Sequence, residues 1–310
     1  MKIWIADRVG PDAARVLTQA GYEVVERSGL AGDELGRALA GADALLVRGA
    51  TKVTREVLAS ANGLRAVARA GSGVDNIDLD ACREKSVAVF NAPGANAVSV
   101  AEHAWALILA LFRHLPRAAA SMAAGRWEKN ELGGREVRGK TLGVVGFGRI
   151  GQEVARLGLA FGCDVVGHDP LVDAALAVPG ARAASLDDLL AASDIVSLHA
   201  PLVPETRGLV SAERLRRMKP GAVLVNCARG ALVDETALET ALSEGRLAGA
   251  GLDVFQTEPP GDRPLLKLPN VVATPHVAAS TPEAQTRAGI EAASALRDFL
   301  ATGTAPGRVA

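Results

Sequence analysis

A glycine-rich turn near the middle of the chain constrains the fold more than any other feature. Residues 141–145 (TLGVV) have the composition of a buried strand, and GFGRIG follows directly at 146–151. Apolar residues at helical spacing come next, then a second apolar strand at 164–168, and then Asp169. This order of strand, G-x-G-x-x-G, helix, strand and acid is typical of a βαβ unit that binds a dinucleotide.

Each glycine of this turn has its own physical role. We expect Gly146 to make the tight turn, Gly148 to let the backbone approach a pyrophosphate, and Gly151 to let the helix pack on the strand. Asp169 follows Gly151 by 18 residues, close to the spacing of a carboxylate that binds the adenosine ribose. Because a carboxylate repels a 2′-phosphate, and because Pro170 rather than an arginine comes next, the sequence favours NAD over NADP.

Short apolar runs alternate with helical patterns along the whole chain. They are rich in Val, Ile, Leu and Ala without clean alternation, which indicates strands covered on both faces and hence parallel sheets of an α/β fold. The predicted strands are 2–7, 23–26, 44–48, 66–70, 87–91, 142–146, 164–168, 194–199, 222–226, 249–254 and 271–274.

Helix signals divide these strands into two groups. Ser99 with Glu102, Ser185 with Asp188, and Asp234 predict helix starts, and the helix from Ser99 is apolar nearly all round. Such a helix must be covered by a domain interface, a subunit interface or an ordinary core. Turn-rich stretches at 91–96 and 278–281 predict a substrate-binding domain of 1–95 with 282–310 and an NAD-binding Rossmann domain of 96–281.

Composition excludes several classes of protein. A net charge of −1 over 310 residues gives no field that favours nucleic acid or an anionic membrane. Three cysteines without a C-x-x-C pair argue for a reducing compartment and against a zinc site. The most apolar stretch, 104–112, is shorter than the ~20 residues that span a bilayer. We therefore expect a cytoplasmic protein that acts on a small molecule, with no metal, nucleic acid or membrane partner.

Ionisable residues follow three of the predicted strands in the second group. Arg229 comes after 222–226, Glu258 after 249–254, and His276 after 271–274. Because ligands bind beyond the carboxyl ends of parallel strands, we expect these three side chains to meet beside a nicotinamide. An arginine would bind a substrate carboxylate in a bidentate manner, an imidazolium would protonate the developing alkoxide, and a carboxylate would hold the imidazole ring.

Each residue also has a structural interpretation. Arg229 alone is compatible with a solvated loop, Glu258 with a turn acid before two prolines, and Cys227 with core packing rather than a nucleophile. His276 has four competitors for the acid–base role, namely His103, His114, His168 and His199. Only the joint placement of three ionisable groups downstream of a dinucleotide motif favours catalysis.

At these residues the chain resembles the D-isomer-specific 2-hydroxyacid dehydrogenases over nearly its whole length. The motifs are GKTLGVVGFGRIG (139–151), HDP (168–170), NCARGALVDE (226–235), GAGLDVFQTEP (249–259) and TPHVAAS (274–280). The resemblance implies two Rossmann-like or flavodoxin-like doubly wound parallel-sheet domains with a cleft between them, NAD as cofactor, and a homodimer or dimer of dimers. It also implies that Arg229, Glu258 and His276 are the catalytic set.

The resemblance supplies further site residues. The implied cofactor contacts are Ser72, Gly146, Gly148, Arg149, Ile150, Gly151, Asp169, Ala200, Cys227, Arg229, Asp253, His276 and Ala279. The implied substrate contacts are Arg48, Arg69, Gly71, Ser72, Gly73, Asn96 and Lys129, the last possibly contributed by a partner subunit. Each cation among them has the alternative of an ordinary surface charge.

Four stretches resemble the family members that oxidise D-3-phosphoglycerate to 3-phosphohydroxypyruvate in serine biosynthesis: 47–54, 68–78, 91–103 and 125–143. Two alternatives stay open, a hydroxypyruvate, glyoxylate or broad 2-oxo acid reductase and an NADH-sensing binding protein of the corepressor kind. Because the chain ends at Ala310, we expect no C-terminal regulatory domain and no serine feedback through one.

Overall fold

The structure is a computed structural model that describes residues 1–175 and 177–310. Its Cα positions divide the chain into two compact units. The first unit comprises Met1–Asn96 with Ala279–Ala310, and the second comprises Ala97–Ala278. The assignment of substrate binding to 1–95 with 282–310 and of cofactor binding to 96–281 stays a prediction.

The first unit contains a five-stranded parallel sheet in the order β2-β1-β3-β4-β5. Its strands β1–β5 are Lys2–Ile5, Glu23–Glu26, Ala44–Val47, Ala66–Arg69 and Ala88–Phe90. Its helices are α1 (Pro11–Gln19), α2 (Gly32–Ala38), α3 (Arg55–Ser60), α4 (Leu79–Glu84) and α13 (Pro282–Thr302).

Two hydrophobic layers cover this sheet. On one face Ile3, Ile5 and Leu17 are buried together with Ala292 and Leu296 of α13. On the other face the core contains Leu45, Val47, Val57, Leu58 and Val67. Because β3 and most of β4 are buried on both faces, their sequences are continuous apolar runs rather than alternating ones.

The second unit contains a seven-stranded parallel sheet in the order β12-β11-β10-β9-β6-β7-β8. Its strands β6–β12 are Thr141–Val145, Asp164–His168, Arg182–Ala183, Ile195–Leu198, Val223–Asn226, Gly249–Leu252 and Val271–Ala273. Its helices are α5 (Ala97–Phe112), α6 (Leu115–Ala123), α7 (Arg149–Ala160), α8 (Ala174–Ala177), α9 (Leu186–Ala192), α10 (Ala212–Arg217), α11 (Glu235–Ser243) and α12 (Pro264–Lys267). Short 3₁₀ helices lie at Pro204–Thr206 and Gly230–Leu232.

Strand β6 marks the point where the strand order of the second sheet reverses. It pairs with β9 on one side and with β7 on the other, so the connections leave in opposite directions. In open parallel sheets such a reversal opens a crevice beyond the carboxyl ends of the strands. The glycine turn directly follows β6 and therefore lies at this edge.

The apolar helix α5 is an internal helix of the second unit. It packs on β10, β11 and β12, and Trp105 stacks on Phe161 with ring centroids 4.5 Å apart. A side chain at Gly251 would come within 2.9 Å of Leu107 Cβ, so the missing Cβ lets the helix lie close to the sheet. This packing explains why hydrophobic residues cover most of the helix surface.

The fold class and all eleven predicted strands are confirmed, with ends that differ by one or two residues. The strand β8 was missed because its two residues are exposed and carry no apolar signal. Ser185 and Asp234 are helix N-caps as predicted, but the predicted helix start at Ser99 is wrong because α5 begins at Ala97.

Among the described residues, no single helix has the length and apolar composition needed to cross a membrane. Helices α5 and α6 meet those criteria only as a pair, with a bend of 65° between them.

Candidate active site

The glycine turn of the second unit admits no side chain at two of its positions. Gly146 has φ of +88°, and a Cβ on it would lie 2.5 Å from the amide nitrogen of Ala200. A Cβ on Gly151 would overlap the carbonyl oxygen of Gly146. The turn can therefore pack against β9 and α7 only with glycine at both positions.

The start of α7 is open in the way that a phosphate site requires. Gly148 is the N-cap residue and supplies no side-chain hydrogen bond to the helix. The space where its Cβ would lie is empty to 4 Å. The helix begins at Arg149, and the N–H groups of a first helical turn have no acceptor within the helix, which makes this end a place where an anion can bind.

Asp169 connects the second strand to this turn. Its Oδ2 atom accepts a hydrogen bond from the amide of Phe147 at 2.7 Å, and its Oδ1 atom accepts one from the amide of Leu171 at 2.8 Å. A cavity of about 260 Å³ lies beside it, lined in part by Gly167 and Ala183. A carboxylate fixed next to a glycine turn, with a cavity at its side, fits the adenosine half of a dinucleotide.

His276 and Glu258 form a hydrogen-bonded pair at the same edge of the sheet. The Nδ1 atom of His276 lies 2.7 Å from Oε2 of Glu258, and the two side chains are 50% and 37% exposed. Because an ionised carboxylate only accepts hydrogen bonds, Nδ1 carries a proton in this contact. The Nε2 atom is then left to exchange a proton with a substrate.

The backbone at His276 and just after it is held by Asp253. His276 has φ of +54°, a left-handed conformation that is uncommon for a residue with a side chain. Its amide donates to the carbonyl of Asp253 at 2.8 Å. The Asp253 carboxylate, which is fully buried, accepts hydrogen bonds from the amides of Val277 and Ala278, both at 2.9 Å.

Hydrogen bonding also keeps the Asp253 carboxylate ionised. Burial by itself raises its pKa, but hydrogen bonds from His103, Thr274 and the two loop amides outweigh burial and hold the pKa below its usual range. A buried carboxylate with several donors is an anchor for the segment that supplies them.

A second buried carboxylate holds the loop that carries Glu258. Glu235, the first residue of α11, accepts a hydrogen bond from the amide of Gln256 at 2.5 Å and pairs with Arg263. The amide of Phe255 in turn donates to Oε1 of Glu258 at 3.1 Å. The two oxygens of Glu258 are thus divided between its own loop and the imidazole.

Arg229 lies on a turn that packs against this loop. A Cβ on Gly230 would overlap the backbone of Phe255, so glycine is required directly after the arginine. One guanidinium nitrogen of Arg229 donates to the carbonyl of Ala228 at 2.7 Å, and Asn226 donates to the Arg229 carbonyl at 2.9 Å. The segments of Arg229, Glu258 and His276 therefore adjoin one another at one sheet edge.

Cys227, two residues before Arg229, is buried. Burial raises the pKa of its thiol, and the nearby Asp253 carboxylate adds to that effect. The thiol therefore stays protonated at neutral pH, which favours the packing interpretation over a nucleophile.

Three of the competing histidines lie elsewhere in the second unit. His199 is enclosed, and burial lowers its pKa to about 3, so it stays neutral at physiological pH. The Nδ1 atom of His168 contacts the carbonyl of Ala184 at 3.0 Å. His114 precedes α6 with φ of +51°.

The first unit places most of its predicted substrate residues around the ends of β3 and β4. Arg69 donates from Nε to the carbonyl of Arg48 at 2.8 Å and from a terminal nitrogen to the carbonyl of Gly73. The Ser72 hydroxyl donates to Asn96 at 2.9 Å. The Arg48 guanidinium has no hydrogen bond or ion pair with the part of the chain that the structure describes. Arg69 thus shapes the loop around Gly71, whereas Arg48 presents an unneutralised cation.

The remaining predicted residues lie at separate places in the chain. Ala200 is buried beside Gly146, and Ala279 begins the C-terminal segment of the first unit. Lys129 is exposed after α6, without an ion pair to any described residue. The roles of all these residues stay predictions.

Sequence reasoning missed the residues that hold the loops of Glu258 and His276. Glu235 and Thr274 were not predicted, and Asp253 was predicted only as a cofactor contact. Their hydrogen bonds join loops far apart in the chain, so no local pattern could have revealed them. Among the described residues, no group of three or more His, Cys, Asp or Glu side chains could hold a metal ion.

Comparison with known proteins gives consistent matches. Residues 105–278 match the family model of the D-isomer specific 2-hydroxyacid dehydrogenase, NAD binding domain. A D-3-phosphoglycerate dehydrogenase of Mycobacterium tuberculosis (strain ATCC 25618 / H37Rv) is 50% identical over 300 residues, which are 96% of this chain and 57% of that protein. The chain thus spans little more than half the length of the curated relatives it matches.

Solved structures also match over nearly the whole chain. A protein from Thermus thermophilus has a TM-score of 0.90 at 39% identity and covers 100% of both chains. A D-lactate dehydrogenase from Aquifex aeolicus, solved with NAD and lactic acid, has a TM-score of 0.84 at 31% identity and covers 99% of both.

Proposed function

Because this chain belongs to the D-isomer specific 2-hydroxyacid dehydrogenase family, we propose that it oxidises D-3-phosphoglycerate to 3-phosphohydroxypyruvate with NAD, a reaction of serine biosynthesis. The observation that carries the proposal is the pair of His276 and Glu258, which meet at the carboxyl edge of the sheet that bears the glycine turn. An imidazole bound to a carboxylate on one nitrogen is the group that proton transfer to or from an alcohol requires.

The chain's own residues divide the work as follows. His276 accepts the proton of the 2-hydroxyl through Nε2 during oxidation and returns it during reduction. Glu258 holds the imidazole ring through Nδ1. Arg229 binds the substrate carboxylate and orients the reacting carbon, since a planar guanidinium matches a carboxylate in a bidentate manner.

NAD, when bound, supplies the hydride acceptor. The open first turn of α7, from Gly148 to Ile150, would hold its pyrophosphate, and Asp169 would accept hydrogen bonds from the adenosine ribose. Because Asp169 is a carboxylate, it disfavours the 2′-phosphate of NADP. Gly146 and Gly151 act by allowing the turn to pack.

The proposal of a phosphorylated substrate is supported by one cation of the first unit. Arg48 is not neutralised by any described side chain, so it is available to bind a phosphate. Arg69, by contrast, is occupied with backbone carbonyls and supports the loop that contains Gly71 and Ser72. The name of the mycobacterial relative points to the same substrate.

A substrate panel tests this proposal. Steady-state rates with phosphohydroxypyruvate, hydroxypyruvate and glyoxylate would be measured with NADH and with NADPH through the absorbance of the reduced cofactor. We expect the highest kcat/KM for phosphohydroxypyruvate with NADH. A strong preference for a plain acid would replace the proposal by a hydroxypyruvate or glyoxylate reductase, and binding of NADH without turnover would favour a sensor.

We also propose that the protein acts in the cytoplasm as a homodimer or a dimer of dimers. Leu115, Met122 and Trp127 are 53%, 58% and 77% exposed within one short stretch that includes α6. Three large apolar side chains so close together in the sequence favour contact with another subunit. Lys129 follows directly and would then lie near that contact.

A further inference from the structure

We propose that His103 is a positioning residue that holds the His276 loop in place through Thr274 and Asp253. The inference rests on the proposed acid–base role of His276. It adds a residue of α5, far from the catalytic loops in sequence, to the machinery that keeps the imidazole in position.

A short relay of hydrogen bonds connects His103, Thr274 and Asp253. The Nε2 atom of His103 lies 2.9 Å from the hydroxyl oxygen of Thr274. That hydroxyl donates to Oδ1 of Asp253 at 2.6 Å. Because a hydroxyl has only one hydrogen, and the carboxylate receives it, the hydroxyl accepts from His103. His103 therefore carries its proton on Nε2, which faces both that hydroxyl and, at 3.5 Å, Oδ1 of Asp253 itself.

Asp253, at the end of the relay, binds the chain around the catalytic imidazole. The Asp253 carbonyl accepts the His276 amide, and the Asp253 carboxylate accepts the amides of the next two residues, Val277 and Ala278. The left-handed backbone of His276 costs free energy and persists only where the surroundings over-determine it. These three hydrogen bonds hold the backbone of His276 in that conformation.

His103 is the donor that links this carboxylate to a helix. The other donors, Thr274, Val277 and Ala278, belong to the segment that the carboxylate holds. His103 is instead on α5, which packs on β10, β11 and β12. The backbones of Asp253 and Thr274 are held by the sheet, since their amides donate to the carbonyls of Asn226 and Leu252. His103 adds a tie from α5 to the two side chains, and without it the Asp253 carboxylate and the Thr274 hydroxyl could change their orientation.

Matched substitutions can separate positioning from simple destabilisation. His103→Leu removes the donor, whereas His103→Gln keeps an N–H donor on a flexible side chain. Thr274→Val removes the hydroxyl at constant shape, and Thr274→Ser keeps it. Glu102→Gln is the control, because Glu102 is the exposed neighbour of His103 on α5.

Three measurements are made on each folded variant: kcat and KM for the preferred acid, the Kd of NADH, and the NMR signals of the His276 ring, assigned with His276→Ala. We expect kcat to fall about tenfold in His103→Leu and Thr274→Val, because small misplacements of a catalytic group cost about this much or more. The His276 signals should move in both variants, while the Kd of NADH and KM change by less than about threefold. His103→Gln and Thr274→Ser should recover most of the loss, and Glu102→Gln should behave as wild type.

The double variant His103→Leu/Thr274→Val should lose less kcat than the product of the two single losses, because both residues hold the same Asp253 carboxylate. Wild-type kcat and unmoved His276 signals in the two disruptive variants would overturn the inference. So would losses that the two conservative variants fail to recover. If His103→Leu does not fold, the inference is tested by comparing kcat and the His276 signals of Thr274→Val with those of Thr274→Ser.

The proposed function can fail separately. Wild-type protein without turnover of any acid in the panel would refute the dehydrogenase proposal. The His276 signals would still test the positioning role, since they report the imidazole environment without catalysis.

Discussion

The loops at the carboxyl ends of the two sheets differ in what their ionisable side chains bind. In the second unit, Asp169 and Asp253 accept backbone amides, but Glu258 and His276 bind one another. In the first unit, the ionisable side chains that follow β1 and β4 bind mainly peptide groups. Asp7 after β1 accepts the amides of Arg48 and Thr51, and Arg69 after β4 donates to backbone carbonyls.

This difference shows that strand-end placement alone does not make a catalytic group. A side chain whose hydrogen bonds go to the backbone rigidifies a loop and has little left for a ligand. A side chain paired on one atom and open on another can transfer a proton. All five histidines lie in the second unit, so the proposed proton transfer by an imidazole belongs to that unit.

The largest expected effect comes from His276→Ala. We expect kcat to fall by ~10²–10⁴-fold, the usual range for a positioned acid or base, while the melting temperature and NADH binding change little. Steady-state kinetics, thermal unfolding and NADH titration measure the three quantities. Near-full turnover would break the comparison, because it would remove proton transfer from this edge of the second sheet.

The next effect concerns His199, whose pKa burial lowers to about 3 in the folded protein. Between that value and the ordinary value near 6.5, the unfolded chain binds a proton at His199 and the folded chain does not. The free energy of unfolding should therefore fall as the pH is lowered through this window, by roughly 3 kcal/mol at pH 4 relative to pH 7.

His199→Gln should remove this part of the pH dependence. Urea unfolding of both proteins at the two pH values measures it, with His114→Asn as the matched control that keeps the wild-type slope. Equal slopes for wild type and His199→Gln would show that the buried histidine does not resist protonation.

A smaller effect is expected in the first unit from Asp7→Asn. Asp7 is buried and accepts from Arg48, Thr51 and the Thr51 hydroxyl, at distances between 2.6 and 3.2 Å. Replacing one acceptor oxygen by an amide should lower the free energy of unfolding by about 1–3 kcal/mol, with NADH affinity unchanged. Chemical unfolding measures the stability, and NADH titration measures the affinity. If the variant were as stable as the wild type, the hydrogen bonds of Asp7 would not stabilise the loop.

The smallest expected effect comes from Arg48→Ala. If Arg48 binds the phosphate, KM should rise about tenfold for the phosphorylated acid and stay constant for plain hydroxypyruvate, because one charged hydrogen bond is lost only with the first. Arg8→Ala, which also removes an arginine of the first unit, is the control. An equal rise with both acids would place Arg48 with Arg69 among the loop-holding residues.

The amino-acid sequence by itself determined the features that depend on neighbours along the chain. Apolar runs predicted eleven strands, and Ser185 and Asp234 predicted helix starts. The spacing of the glycines and Asp169 predicted a dinucleotide turn. In the structure, Gly146 and Gly151 of that turn lie where a side chain would clash with the backbone. These signals are local, since burial on both faces, capping and close backbone packing each act within a few residues.

Only the tertiary structure decided which polar groups meet. The two exposed residues of β8 become a strand by pairing with β7, and α5 starts before the serine that would cap it. His103 and Thr274 are 171 residues apart, yet they share one hydrogen bond. The same kind of long-range contact leaves Arg48 available and occupies Arg69, because the partners of a side chain depend on which loops the fold brings side by side.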